Sequence, residues 1–339
     1  MTQGQDRLCD SSRASTAAVP ERERLDAWQA LFKGAHAISA EEPRRFRGEI
    51  ASVAVDAMMV HRMRATAQAV ERTPAMVRGD GLDHIVLHLS ASPMLARSGD
   101  DDIAVHGGAV SVNDLARPLR RAAAPDLDSV SVVLSRDLVA SVLPDTDALH
   151  GAVLGQGAGA LLRAHMRALA ENAHLITREA AAATARGTAE LLAASILSTP
   201  DAAERAREPI QAAALVRAKR YIDAHIAAVD LTPDSIARGV GVSRATLFRA
   251  FAPLGGVAAY VQDRRLTLVR RSLARRLKSE TVGEIGYRFG FRSDVHLSRA
   301  FRRRFGMAPS DVRPLFGAVS PPALASDGRL IAGWLAEHG

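Results

Sequence analysis

Arg249 and Arg299 stand at equivalent places in a pattern that the chain states twice. Thr232, Ile236, Ala237, Gly241 and Val242 recur 49 positions later as Thr281, Ile285, Gly286, Gly290 and Phe291. After one extra residue, Arg292, the residues Ser243, Leu247, Arg249, Ala250 and Phe251 match Ser293, Leu297, Arg299, Ala300 and Phe301 at an offset of 50. A guanidinium can donate two parallel hydrogen bonds to guanine O6 and N7, or clamp a phosphate. Beside Arg249 the outward face holds Arg244, Ala245, Thr246 and Phe248; beside Arg299 it holds Asp294, Val295, His296 and Ser298. Ala245, Val295 and the Thr246 methyl can meet a thymine methyl. Arg302, Arg303 and Arg304 lie further along, where cations hold phosphates and so position a protein without reading sequence.

These side chains need elements that present them, and the repeat supplies those. Thr232 followed by Pro233 makes a helix start, and Thr281 with Glu284 makes a capping box. Ala237 and Gly286 are small where a second helix must cross closely, and Gly241 and Gly290 can take the positive φ that turns the chain. Ser243 and Ser293 cap the next helices, whose Leu247 with Phe251 and Leu297 with Phe301 point inward at i, i+4 spacing. A helix, a short glycine turn and a second helix with an exposed polar face is a helix-turn-helix, whose second helix fits the major groove. Between the copies, residues 257–278 form a helical pattern of about 22 residues that spans roughly 33 Å, close to one turn of DNA at about 34–36 Å.

Charge agrees with a polyanionic partner. The chain carries +7, but residues 261–305 hold thirteen Lys and Arg against four Asp and Glu, a net of +9 that leaves −2 elsewhere. Each phosphate neutralised by such a patch releases condensed counterions. At 339 residues two domains are expected. The sequence has no apolar run near the roughly 18 residues that span a bilayer and no positively flanked apolar leader, so no membrane role is expected. A cytoplasmic, nucleoid-associated protein is. The single cysteine, Cys9, excludes an internal disulfide framework and a multi-thiolate zinc site, and is read as incidental.

The half before the repeat is different in kind. Between residues 44 and 134, β-like runs at 50–55, 84–89, 108–112 and 130–134 alternate with Gly, Pro and Asp turns, which predicts a small β-sandwich or barrel. Residues 136–142 and 158–197 then turn helical, with Leu161, Leu162, His165, Leu169, His174 and Leu175 at roughly helical spacing. Residues 198–209 break that pattern. His84 and His88 fall on one face of a strand with His106 nearby, so a metal-dependent enzyme fused to the DNA-binding half is the alternative reading, although no carboxylate stands at ligand spacing. A nucleophile elbow is absent, residues 155–159 lack the Lys-Ser/Thr of a phosphate cradle, and Cys9 alone cannot run alkyl-acceptor chemistry.

The chain resembles the AraC/XylS transcription regulators through Ile236-Ala237, Gly241-Val242-Ser243, 247–251, Arg264-Arg265-Leu266, Ile285, Gly290-Phe291, Phe301, Phe305-Gly306 and Pro309 to Arg313. Gly107-Gly108-Ala109-Val110, Arg117-Pro118 and Ser135-Arg136-Asp137-Leu138 resemble the sensor domain of that family more loosely. Gly286 departs from the usual alanine, and Gly255-Gly256-Val257-Ala258 from the usual lead into the connector. The resemblance implies an α+β chain, with a cupin-like β-barrel and following helices before an all-α domain of two helix-turn-helix motifs. Expected divisions are a disordered leader at 1–20, an effector-sensing and dimerisation domain at 21–198, a linker at 199–212, the DNA-binding domain at 213–316 and a tail at 317–339 without assigned role. It further implies promoter or operator DNA, RNA polymerase, a small-molecule effector and a second copy of the chain as partners, with no cofactor and no catalysis.

Overall fold

The computed structural model describes residues 8–32, 35–80, 82–98, 101–123, 127–143, 146, 149–198, 209–275, 280–312 and 324–338. They divide into two units, one of Met1–Val77, Leu82–Ser198 and Phe316–Gly339, the other of Arg78–Gly81 and Thr199–Leu315.

The first unit is a pair of antiparallel sheets. One runs in the order β1 (Ser11–Ser15), β3 (Gly48–Val55), β4 (Met58–Ala65), β11 (Leu127–Leu134), β6 (Ile85–Ser90), β9 (Val110–Asp114) and β12 (Val153–Leu154). The other runs β2 (Ala37–Ser39), β5 (Ala69–Arg72), β10 (Leu119–Ala123), β7 (Met94–Ser98) and β8 (Asp101–Val105). β6 is buried at all six positions and lies between β11 and β9, which is why it reads as a nearly unbroken apolar run. β3 and β4 are joined at Asp56-Ala57, where Asp56 takes φ +51, a left-handed value that Asp tolerates better than most residues.

Helices α1 (Arg24–Leu31), α2 (Pro74–Asp80), α3 (Arg136–Val142), α4 (Ala158–Asn172) and α5 (Arg178–Leu197) accompany these strands. Leu162, Met166 and Leu169 of α4 and Ala185, Leu192 and Ile196 of α5 share one core with Leu87, Val110, Val130 and Val132 of the larger sheet. The looser motif at 135–138 has a structural cause. Ser135 caps α3 by accepting from the Leu138 N–H, and the Arg136 guanidinium is ion-paired with the buried carboxylates of Asp83 and Asp114.

Three expectations need correction. Residues 8–20 of the supposed disordered leader are ordered: β1 pairs with β3 from Ser11↔Val53 to Ser15↔Glu49, and Cys9 is buried. An edge strand with one face to solvent carries too few apolar residues to announce itself. The helices expected at 158–197 are there as α4 and α5, parted by a 3-10 turn at Ala173–Leu175, after which Thr177 caps α5. The linker was drawn too long, because helix α6 (Pro209–Ala224) starts at Pro209, a residue that fits a first helical turn; residues 199–208 lie outside the described residues. The tail is not an appendage. Its helix α12 (Ala325–His338) packs on β1 and β3, burying Ile331, Trp334 and Leu335, and the Trp334 indole N–H donates to the Asp56 carbonyl at 2.7 Å.

The second unit continues from α6 through α7 (Pro233–Val240), α8 (Arg244–Phe251), α9 (Val257–Arg275), α10 (Val282–Arg288) and α11 (Asp294–Phe305). Ile222, Ile236, Leu247, Phe251 and Val261 form one core, and Leu266, Leu273, Ile285, Leu297, Phe301 and Phe305 form a second. Phe289 packs against both. The connector predicted at 257–278 is helix α9 over its 19 described residues; 276–279 lie outside the described residues.

Candidate nucleic-acid interface and sensor cavity

The repeat in the sequence is a repeat in the caps. Thr232 and Ser235 form one reciprocal capping box, and Thr281 and Glu284 form the other. Hydrogen bonds from the Thr281 backbone N–H and hydroxyl hold the Glu284 carboxyl below the usual carboxylate range. Ser243 accepts from the Thr246 N–H and Ser293 from the His296 N–H, so α8 and α11 both start on a serine. Gly241 and Gly290 take φ +68 and +79. At Gly286, where the resembling family has alanine, a Cβ would stand 2.7 Å from the Leu297 side chain, so the glycine lets α11 sit close against α10.

Caps and turns aim one face of α8 and one of α11 at solvent. Arg244, Ala245, Phe248 and Arg249 are exposed on α8, with Thr246 half-buried and its hydroxyl 2.8 Å from that of Ser243. Asp294, Val295, His296 and Arg299 are exposed on α11, with Ser298 half-buried. Arg249, Arg299, Arg302 and Arg303 are exposed, and their side chains make no hydrogen bond or ion pair among the described residues. Arg244 is held instead: it pairs with Asp234 at 3.1 Å and lies over the Phe248 ring at 5.5 Å. Arg304 is held too, ion-paired with Asp263 of α9. Tyr287, 60% exposed on α10, was not singled out in the sequence, though helical periodicity from the buried Ile285 and Gly286 turns it outward.

Arg265 has a part that its sequence context did not reveal. Its guanidinium donates to the carbonyls of Ile226, Ala228 and Gly290, at 3.1, 2.5 and 3.3 Å. One side chain of α9 therefore joins the segment between α6 and α7, just ahead of the first helix-turn-helix, to the turn of the second. Gly290 is required there twice, for its positive φ and because a Cβ would stand 2.8 Å from the guanidinium carbon.

The first unit holds a cavity lined from both sheets and closed on one side by Ile331, Trp334 and Leu335 of α12. Most of the wall is apolar, with Met59, Met63, Met94, Val86 and Val133 among it. Strand register lays one polar row across the larger sheet: Ser52 opposite His61, His61 opposite Ser131, Ser131 opposite His88 and His88 opposite Ser111. All five are buried. Ser52 is hydrogen-bonded to His61 Nδ1 at 3.0 Å and Ser131 to His88 Nδ1 at 2.9 Å. Burial lowers the His61 pKa to about 4, and burial with the nearby Arg121 cation lowers that of His36 to about 3 and pushes His88 well down. All three are neutral rings at pH 7.

The histidines named in the metal-enzyme reading do not assemble. His88 faces the cavity, His84 packs on Trp334 with ring centroids 5.3 Å apart, and His106 is exposed. Among the described residues no three His, Cys, Asp or Glu side chains could hold a metal ion together. Among the described residues, too, no helix is long and apolar enough to cross a membrane.

Comparison with known proteins matches both units. Residues 27–198 match the family model of an AraC-binding-like domain, and residues 236–314 that of a helix-turn-helix domain. The transcriptional activator NphR of Rhodococcus sp is 28% identical over 275 residues, covering 79% of this chain and 81% of its own. The HTH-type transcriptional activator RhaS of Citrobacter koseri is 35% identical over 80 residues, 24% of this chain and 29% of that protein. The AraC-like transcriptional activator CuxR is alike in fold, with a TM-score of 0.53 at 24% identity over 76% of this chain and 93% of its own.

Proposed function

Because the chain belongs to the AraC family of transcription regulators, we propose that it sets α8 and α11 into successive major grooves on one face of promoter DNA. Arg249 and Arg299 read bases or clamp phosphates there, Arg302 and Arg303 hold backbone phosphates, and Arg244, Ala245, Thr246, Phe248, Asp294, Val295, His296 and Ser298 complete the two faces. The observation that carries this is the pairing: two helices with matched serine caps present Arg249 and Arg299 at equivalent positions, both exposed and without a side-chain partner among the described residues. Regulation is the family's function, and among the described residues no arrangement supports the metal-enzyme alternative. Hydroxyl-radical footprinting on promoter DNA should show protection in two adjacent major grooves on one face; protection of a single groove would refute two-site docking.

The finer assignments rest on the same reading. Residues 21–198 with α12 serve as the effector-sensing unit, with the effector in the cavity between the sheets, and residues from Pro209 to about 316 serve as the DNA-binding unit. The chain works in the cytoplasm on the nucleoid, as an activator that engages RNA polymerase, without cofactor or catalysis. Leu161, Leu175 and Leu197 are exposed on or beside α4 and α5, which supports pairing of two copies through that face. Light scattering that gave only monomer, with and without DNA, would remove the dimer.

A further inference from the structure

Arg121 is a cavity residue whose charge is not yet accounted for. Neighbouring Arg120 and Arg121 point to opposite faces of β10, as strand geometry requires, so Arg120 is exposed while Arg121 turns inward to line the cavity. Its Nε and Nη1 are inaccessible to solvent and have no hydrogen-bond partner, and no Asp or Glu is among the lining residues. His36 Nδ1, also at the cavity, is buried without a partner. Burial lowers the Arg121 pKa only to about 10, so the guanidinium stays charged at neutral pH, and the surrounding histidines are neutral. A buried cation costs free energy unless an anion meets it. Among the described residues that line the cavity there is none.

We infer that the cavity takes an apolar molecule with a single carboxylate, its acid group on Arg121 and its apolar body against the methionines and the α12 wall. The planar guanidinium fork suits a carboxylate in a two-bonded arrangement, and an apolar wall with few polar groups suits the rest of a small ligand. Sugars and other polyhydroxy compounds fit poorly, since their many hydroxyls would meet Met59, Met63, Val86, Val133 and Leu335. Zwitterions fit poorly as well, because the cavity offers no carboxylate to an ammonium. The inference rests on the reading that this cavity is the effector site, and it names the class of effector.

The test uses the purified full chain, with octanoate and phenylacetate as probes and octanamide and phenylacetamide as their neutral counterparts. Isothermal titration and thermal melting should show each acid binding about tenfold or more tightly than its amide, the scale of a charge-assisted hydrogen-bond pair. Arg121→Met should lose that preference while leaving the ligand-free protein at least as heat-stable as the parent, since it removes a cation without a partner. A merely structural arginine would instead lower the melting temperature when replaced. Arg121→Lys keeps the charge and should keep part of the acid preference. Equal binding of acids and amides, a preference that survives Arg121→Met, or no binding of either acid would each overturn the inference. Gel shifts on promoter DNA with bound acid test the effector reading separately. Binding that leaves DNA affinity unchanged would end that reading and leave the carboxylate site standing.

Discussion

Single residues divide into those whose meaning lay in repetition and those whose meaning lay in depth. Arg249 and Arg299 were legible because the chain writes their surroundings twice, so one copy interprets the other. Arg299→Ala is predicted to weaken binding to a cognate promoter by about 1–3 kcal/mol with little change on unrelated DNA, read by gel-shift titration; equal loss on both would make Arg299 a phosphate clamp only. Arg121 was not legible. In the run Leu119-Arg120-Arg121 nothing marks which arginine faces inward, because that depends on strand register set by β5 and β7. The Ser52–His61–Ser131–His88–Ser111 row was hidden for the same reason, its members coming from five strands. The neutral histidines give a pH prediction. Folded, His36 and His61 have pKa values lowered to about 3 and 4 and His88 one well below its ordinary 6.5. Unfolded chains bind protons near 6.5 that the folded chain refuses, so stability is present above that pH and is lost as pH falls toward the folded values. Each fully buried histidine costs up to about 1.4 kcal/mol per pH unit in that window. Urea unfolding at pH 7.5 and 5.5 should show the first unit clearly weaker at 5.5; equal stability would mean that these rings are solvated.

Elements were easier to read where local chemistry fixes them. Caps and glycine turns place both helix-turn-helix units, since each signal lies within a few residues of the feature it controls. What local signals could not give is how the two units are locked together. Arg265 does that by donating to Ile226, Ala228 and Gly290. Gly290→Ala is therefore predicted to destabilise the helical unit by more than the roughly 1–2 kcal/mol of a left-handed L-residue, because it also displaces that guanidinium. Chemical denaturation of the parent and variant would measure this; a loss below about 1 kcal/mol would show that Arg265 moves aside freely. The connector carries a second consequence. Its described 19 residues span roughly 28 Å, and recognition helices held closer than the 34–36 Å of one DNA turn require the duplex to bend to meet them. Circular-permutation gel shifts should show a bend centred between the two protected grooves, and a straight complex would mean that the helices enter at angles which make up the distance.

Across the whole molecule, the order of residues in the chain and the order of parts in the fold do not coincide. The second unit, Thr199–Leu315, is flanked on both sides by sequence that belongs to the first. Sequence reading separated the tail because two prolines precede it and its apolar residues are few. In the structure Leu324, Ile331, Trp334 and Leu335 are all buried. Deleting 324–339 is predicted to weaken the first unit by on the order of 3 kcal/mol or more, from the apolar area returned to water, while leaving the melting of the helical unit unchanged. Differential scanning calorimetry of the truncated chain would separate the two; an unaltered first transition would show that α12 adds nothing to that core. The position of α12 also sets an order of manufacture. A ribosome completes the helical unit before it delivers α12, one wall of the cavity in the first unit. A nascent chain can thus carry a finished helical unit while the cavity of the first still lacks the wall that Ile331, Trp334 and Leu335 supply.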